Sequence, residues 1–431
     1  MYVAKVIQAN NITEHPNADR LQLLHYGGLQ FVVGKNMKLG DIVVLFGGDG
    51  QLSDEFCKEN NLYRDSSKNK DSLISGFFED SRRVRTQPFR GEKSYGFVAG
   101  LDSFSYLKNF NPQVGMEFSE WGGKEICRKY YTPATLKAMR NVQKNNQKKL
   151  KMIEYGLAEH FDTERFAYNV PDIKPNTLVI ISEKVHGSSA RTGFVKTIRR
   201  SRNIFQYFLS SIFKKFIGKE TSAYEHVSGT RRTICNNRED ITTEGQQDYY
   251  RWQWHEKISP QLHKGETVYY EIVGWDSLGG TIMEKQNINL LKKGKKSLPS
   301  HWENQIVYSY GCQEGENDVF VYRITQTSDS GNVVELSWNQ METRSKELGL
   351  KVVPTLLFFI PETTKELEEK VYGFLKDSPS TLDNRHLMEG VCARLESKDG
   401  IKVLKEKNYL FGVLEGYLKE EESYVDNEEI N

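Results

Sequence analysis

The stretch Ile180-Ile181-Ser182-Glu183-Lys184-Val185-His186-Gly187-Ser188-Ser189-Ala190-Arg191 joins an apolar run to a lysine, a histidine and a glycine. Thr177 to Ile181 are β-favouring residues that follow Pro-Asn, which predicts a buried strand. Such a strand delivers Lys184 to the lip of a pocket. There an amine can be desolvated and pressed against other cations, lose its proton and become a nucleophile. A lysine followed by a turn glycine on an ordinary surface has the same local sequence, so the residues downstream must decide between the two readings.

Several downstream segments carry side chains suited to anions and metals. Tyr270-Glu271-Ile272-Val273-Gly274, Phe320-Val321-Tyr322, Glu389-Gly390-Val391 and Lys405-Glu406-Lys407 follow the lysine in that order. Together with Lys184-Val185-His186-Gly187 they resemble motifs I, III, IIIa, IV and V of the covalent nucleotidyltransferases. Ser228-Gly229-Thr230-Arg231-Arg232 is similar to motif Ia. His160-Phe161-Asp162-Thr163-Glu164-Arg165-Phe166 and the N-terminal region extend the likeness, and nearly all of residues 1 to 415 resembles the ATP-dependent RNA ligases that place an OB-fold domain first.

The resemblance implies that Lys184 attacks the α-phosphate of ATP to form lysyl-AMP, passes AMP to an RNA 5′-phosphate, and lets a 3′-hydroxyl displace it. These are phosphoryl transfers governed by positioning and charge neutralisation. Lys405 and Lys407, two apart on a strand, put both amines on one side, where they can neutralise charge building on the α-phosphate and lower the pKa of Lys184. By the resemblance Glu389 helps hold a divalent metal, and Glu271 contacts the metal or the ribose. Magnesium or manganese suits such oxygen ligands and the departing pyrophosphate. Tyr322 is expected to stack on the purine, with Phe320 as the alternative. Glu183 is a candidate for adenine recognition through its backbone or its carboxylate. Arg231, or else Arg232, is expected at the ribose or phosphate, and His186 and Gly187 line the nucleotide site as part of motif I. The chain departs from the pattern twice. Many relatives have an aspartate where His186 stands, so no metal role passes to this imidazole. Ser189 stands where an arginine is common, which makes Arg191 the candidate to compensate.

The elements that must position these residues are predicted to form an α+β chain. An OB-like β-barrel comes first and a nucleotidyltransferase domain follows, built of ATP-grasp-like antiparallel sheets with helices. Residues 1–123 form the OB-like domain in this reading. Short alternating runs at Tyr2 to Ile7, Leu21 to His25, Gln30 to Val33 and Asp41 to Phe46, bounded by Gly or Asn turns, favour a small barrel. His15-Pro16-Asn17-Ala18-Asp19-Arg20-Leu21 and Lys35-Asn36-Met37-Lys38-Leu39-Gly40-Asp41 are similar to the OB-fold tRNA-binding domains attached to some aminoacyl-tRNA synthetases. Arg82-Arg83-Val84-Arg85 and Arg90-Gly91-Glu92-Lys93-Ser94-Tyr95-Gly96-Phe97 set arginines beside aromatics, a mixture suited to phosphates and stacked bases.

Residues 124–151 hold nine basic residues and one acidic residue and read as a basic linker. The ligase domain spans 152–415, with strands at Val268 to Gly274, Val319 to Ile324, Glu389 to Arg394 and Ile401 to Lys405, and helices at Trp338 to Leu348 and Thr364 to Lys376. It contains an insertion at 196–219 with seven basic and no acidic residues. Ile204, Phe208, Ile212 and Phe216 recur there at helical spacing, predicting an amphipathic helix. Docking on the domain, a membrane surface and a lid over RNA all fit that helix. Lys292-Lys293-Gly294-Lys295-Lys296 reads as an exposed loop, and residues 416–431 as an acidic tail.

The chain has 431 residues, more than a single core usually organises, which predicts two domains. The 59 basic and 58 acidic side chains nearly cancel, so a nucleic-acid partner must meet local patches. Five scattered cysteines without a CxxC pair fit reduced thiols in an intracellular protein, cytoplasmic or nuclear. The start of the chain lacks the apolar segment of a signal peptide and no run is long enough to span a bilayer, so a soluble monomer without stable membrane association is expected. DNA ligases and mRNA capping enzymes share the motifs, but they generally follow motif V with a large OB domain, and only residues 408–431 come after Lys407 here. Another polynucleotide ligase, a GTP-using nucleotidyltransferase and a non-catalytic RNA-binding protein on a ligase scaffold are the alternatives.

Overall fold

The continuous apolar run Ile42–Gly47 is a strand buried on both faces. Val44 and Phe46 enter one cluster with Ala4, Val6, Phe56 and Phe104. Val43 and Leu45 enter another with Ile7, Leu24, Phe31 and Ala167. Period-two alternation thus divides one strand between two cores. The structure is a computed structural model, and it describes residues 2–48, 50–133, 136–137, 153–161, 163–170, 173–174, 176–201, 218–287, 305–376 and 378–414.

The chain divides into two compact units. The first is made of Met1–Thr132, Arg165–Ile173 and Thr363–Tyr372, and the second of Pro133–Glu164, Lys174–Glu362 and Gly373–Asn431. In the first unit Ile42–Gly47 pairs with Gly96–Gly100 on one side and with Ala4–Gln8 on the other, and Glu117–Phe118 closes the row. Two further three-stranded sheets join Ile12–Glu14, Leu21–Tyr26 and Leu29–Gly34, and Cys127–Lys129, Gly50–Leu52 and Arg83–Val84. Among the described residues these sheets stay separate and do not form one closed barrel. Lys124–Glu125 and Cys127–Lys129, at the start of the predicted linker, are strands of this unit. The short helix Asp54–Glu59, which the sequence reading did not foresee, starts where the Ser53 hydroxyl accepts the Phe56 N–H at 3.1 Å.

The second unit is built on two antiparallel sheets. We label its strands β1 (Leu178–Lys184), β2 (Ser188–Ser201), β3 (Lys219–Thr230), β4 (Glu266–Gly274), β5 (Asn317–Thr327), β6 (Thr355–Phe359), β7 (Gly390–Ser397) and β8 (Gly400–Lys407), and two helices α1 (Tyr250–Ile258) and α2 (Trp338–Glu347). In one sheet β3, β2, β4 and β5 are neighbours, and in the other β8, β7, β1 and β6 follow one another. Tyr270, Ile272, Val319, Val321, Trp338 and Met341 are fully or almost fully buried in the core between β4, β5 and the helices. The start of α2 is fixed by a capping box between Ser337 and Gln340. A buried ion chain ties the sheets together: Arg323 on β5 meets Glu335 at 2.8 Å, Glu335 meets Arg394 on β7 at 2.6 Å, and Arg394 meets Glu396 at 2.7 Å.

The predicted insertion is narrower than its charge pattern suggested. Lys196 to Ser201 continue β2 and Lys219 opens β3, with Ser201 paired to Lys219, because Val195 and Thr197 point into the unit and are buried. The amphipathic stretch 204–216 lies outside the described residues, as do most of the basic linker, the 292–296 loop and the acidic tail. No described helix is long and apolar enough to cross a membrane.

Candidate active site

Register across the second sheet brings the predicted lysines together. Lys184 on β1 pairs with Gly390 on β7, which pairs in turn with Lys407 on β8. Ser182, Cys392 and Lys405 form the next row of the same face. Residues two apart on a strand share a face, so Lys184, Lys405 and Lys407 project from one side. The residue between Lys184 and Lys407 has no side chain to separate them. A Cβ on Gly390 would meet the Glu406 carbonyl oxygen at 2.3 Å, so nothing larger fits there.

Glu389, at the head of β7, is fully buried. Its Oε1 lies 2.8 Å from Lys184 Nζ and 3.0 Å from Lys407 Nζ, and its Oε2 lies 3.5 Å from His186 Nδ1. Burial alone would push the carboxyl up, but Lys184, Lys407 and His186 outweigh it and hold Glu389 well below the usual carboxylate range. The lysine side chains keep 17% and 23% of their surface exposed, so the cluster is not sealed from solvent.

The peptide that crosses from β1 to β2 is fixed at each step. The His186 N–H donates to the Tyr310 hydroxyl at 2.7 Å, and the His186 ring packs edge-on against Tyr308 and Phe411. Gly187 lies so close to β4 that an added Cβ would meet the Ile272 carbonyl oxygen at 2.7 Å and the Glu271 Cβ at 3.1 Å. Ser189 then pairs with Glu271, and its hydroxyl lies 3.1 Å from that of Tyr322. Tyr322 is pushed up by burial first and by Glu271 second, while Ser189 and Arg231 act the other way. His160 stands edge-on to its ring at 5.1 Å. The first sheet therefore gathers Glu271, Tyr322 and Arg231 beside the end of motif I.

The sequence profile of the RNA ligase family matches residues 177–407, more than half of the chain. This chain belongs to the RNA ligase family. The ligase is also similar in fold to solved structures of a Naegleria gruberi RNA ligase. The form with pyrophosphate has 18% identity and a TM-score of 0.57, over 96% of this chain and 98% of that one. A glutamate-to-alanine variant of it with ATP and manganese gives 18% and 0.58 over 95% and 98%. Another with AMP and manganese gives 18% and 0.57 over the same shares. No curated protein matches the ligase.

Two predicted residues of the ligase have their side chains committed elsewhere. The Glu183 carboxylate accepts from the Ser380 hydroxyl at 2.5 Å and from the Thr381 N–H and hydroxyl at 2.9 and 2.5 Å. It anchors the segment before β7, and the Glu183 N–H donates to the Pro354 carbonyl at 2.9 Å, which leaves the backbone carbonyl for a base. Arg191 is 2% exposed and donates to the carbonyls of Ala158 and Arg231 at 3.1 and 2.9 Å. It ties the residues before β1 to the loop after β3 and tethers Arg231. Sequence reasoning missed Tyr310, Tyr308 and Arg251, which reach motif I from remote segments and carry no local motif. Among the described residues no three His, Cys, Asp or Glu side chains gather as a metal site.

Proposed function

We propose that this protein is an ATP-dependent RNA ligase that joins 5′-phosphate and 3′-hydroxyl RNA ends through lysyl-AMP on Lys184. The observation that carries the reading is the shared Glu389 oxygen, which holds Lys184 and Lys407 3.0 Å or less from one anion. The carboxylate favours the charged form of both amines it gathers, and Lys184 must give up its proton before it can attack. Lys184 Nζ, once neutral, bonds to the α-phosphorus of ATP as the bond to the pyrophosphate oxygen breaks. Lys405 and Lys407 face the same side and counter charge on the α-phosphate. An RNA 5′-phosphate oxygen then attacks that phosphorus and the P–N bond breaks, returning the lysine. In the last step a 3′-hydroxyl attacks the 5′-phosphate, its proton leaves, and AMP departs.

ATP and a divalent metal enter this reading from the Naegleria ligase, whose solved forms contain ATP, AMP and manganese. Glu389 is held ionised and, with Glu271, offers the one or two carboxylates with which magnesium or manganese binds alongside phosphate oxygens. Bound there, the metal would supply charge neutralisation at the phosphates. Tyr322 is assigned to the base, Gly187 and the Glu183 backbone to the base and sugar edge, and Arg231 to the ribose or phosphate. His186 holds Glu389 and takes no metal role.

The N-terminal region, 1–123, is assigned as an OB-like RNA-binding domain. The basic linker of this reading begins after Thr132, where the first stretch of the first unit ends, and the ligase domain follows to 415 without Arg165–Ile173 and Thr363–Tyr372, which belong to the first unit. Residues 416–431 are the tail, in a chain that acts as a monomer. The experiment is incubation with each α-labelled nucleoside triphosphate and magnesium, followed by a denaturing gel. Label from ATP retained on the wild type and lost in Lys184→Ala is expected. Label from GTP alone would favour the GTP-using alternative, and no label at all would favour a binding protein.

A further inference from the structure

Arg251 is the strongest group near motif I that the reaction has not yet used. It sits on the first turn of α1, far in sequence from the lysine, and is 6% exposed. The ladder between β2 and β3 stops at Ala190 and Thr230, whereas that between β2 and β4 runs on to Ser188. Beyond the end of β3 a guanidinium takes the place of a strand. Arg251 Nη1 donates to the Ser189 carbonyl at 3.0 Å, and Nη2 donates to the Ser188 hydroxyl. The planar fork meets two acceptors on successive residues, which a lysine could not do. Burial opposes the charge and the neighbouring Asp248 and Glu271 carboxylates favour it, and a guanidinium stays a cation.

We propose that Arg251 is a positioning residue of the ligase: by gripping Ser188 and Ser189 it fixes the peptide that sets Lys184, Glu271 and Tyr322 in mutual register. The proposal rests on the lysyl-AMP reading above. Three observations make Ser189 the point where position matters. Its backbone pairs with Glu271, its hydroxyl meets Tyr322 at 3.1 Å, and it lies five residues along the same chain from Lys184. Arg251 touches neither the lysine nor the reacting atoms in this arrangement. Its effect on the chemistry passes through Ser189. A shift of about 1 Å in a positioning group can cost roughly a hundredfold in rate.

The test is single-turnover lysyl-AMP formation, over a range of ATP concentrations, in wild type, Arg251→Met, Arg251→Lys and Ser188→Ala. Arg251→Met should slow the step at saturating ATP roughly 30- to 100-fold with little change in the ATP concentration for half-maximal rate. Arg251→Lys, which keeps the charge and one contact, should recover part of the loss. Ser188→Ala removes one acceptor without emptying the buried site, and should slow the step roughly tenfold with an unchanged thermal melt. Wild-type rates in both Arg251→Met and Ser188→Ala would overturn the proposal, as would a loss confined to ATP affinity. If Arg251→Met fails to fold, Ser188→Ala decides, and a wild-type rate there also overturns it. Absence of labelling in the wild type would instead strike the lysyl-AMP reading itself.

Discussion

Lys184 and Lys407 meet at a single carboxylate oxygen, Glu389 Oε1, at 2.8 and 3.0 Å. One anion thus sets the position of the proposed nucleophile and of the cation proposed to receive the phosphate. Replacing Glu389 with glutamine keeps the shape and removes the charge that gathers both amines. Auto-adenylylation should fall by at least about a hundredfold. Because both lysines are partly exposed, they can turn to water, and stability should fall only by roughly 1 to 3 kcal/mol. Labelling assays paired with urea melts check both numbers. A variant that labels normally would remove Glu389 from the site.

Lys184→Ala and Lys184→Arg should abolish the covalent adduct, since neither a methyl group nor a guanidinium that stays protonated can attack phosphorus. A preadenylated RNA already carries its AMP, so both variants should still seal it. Adduct formation by either would rule out Lys184 as the nucleophile. Failure to seal by a well-folded variant would give the lysine a second role.

Acid should weaken the fold well above the range in which carboxylates titrate. Burial pushes His255 and His386 from 6.5 down to about 4, so both stay neutral in the fold. The unfolded chain binds more protons between these values, and stability must therefore fall as pH drops from about 6.5 towards 4. Each histidine withdraws up to about 3 kcal/mol across that window. Glu389 acts at lower pH: its folded pKa is depressed, so its contribution is present above the unfolded value and is lost only as pH falls through the folded one. Urea unfolding at pH 7, 5.5 and 4.5 measures the slope, and His255→Gln should flatten it. Equal stability across the three would contradict the buried neutral imidazoles.

Lys184, Lys405 and Lys407 were legible because each lies on a strand whose alternation fixes the face, and the pairing of β1, β7 and β8 aligns them, while Glu271 lies on β4 and Glu389 immediately before β7. The hydroxyl of Tyr310 on the His186 N–H and the Arg251 fork were not. Those contacts join segments far apart in sequence, and neither segment has a local pattern that announces its partner. Glu183 and Arg191 show the converse. Their neighbourhood in motif I was legible, but the groups that claimed their side chains, Thr381 and the Ala158 carbonyl, were not. The domain division mixes the two cases. The apolar alternation of Ile42–Gly47 announces a core, but that Ala167 and Tyr372 pack in the same unit follows from long-range contacts alone. Cutting the chain near residue 145 would therefore strand Tyr372, whose hydroxyl donates to the Gly27 carbonyl at 2.9 Å.

Point substitutions in the first unit test its proposed RNA role without that damage. Strand register sets Arg128, Gln51 and Arg83 in one row, with Arg128 Nε donating to Gln51 Oε1 at 2.8 Å and the Arg83 guanidinium over the Tyr130 ring at 4.7 Å. Cations beside an aromatic on one face suit a phosphate backbone and a stacked base. Each phosphate contact on single strands adds about 0.7 to the slope of log affinity against log salt. The double variant Arg83→Ala/Arg128→Ala should therefore bind a 5′-phosphorylated RNA more weakly, with the slope reduced by roughly 1.4. Lysyl-AMP formation uses groups on the second unit and should keep its wild-type rate, while sealing should fall because the ends are less often held in line. Binding titrations at several salt concentrations, run beside the labelling assay, separate the two effects. An unchanged salt slope would take this face out of RNA binding, and a parallel loss of labelling would show that the substitutions had damaged more than the interface.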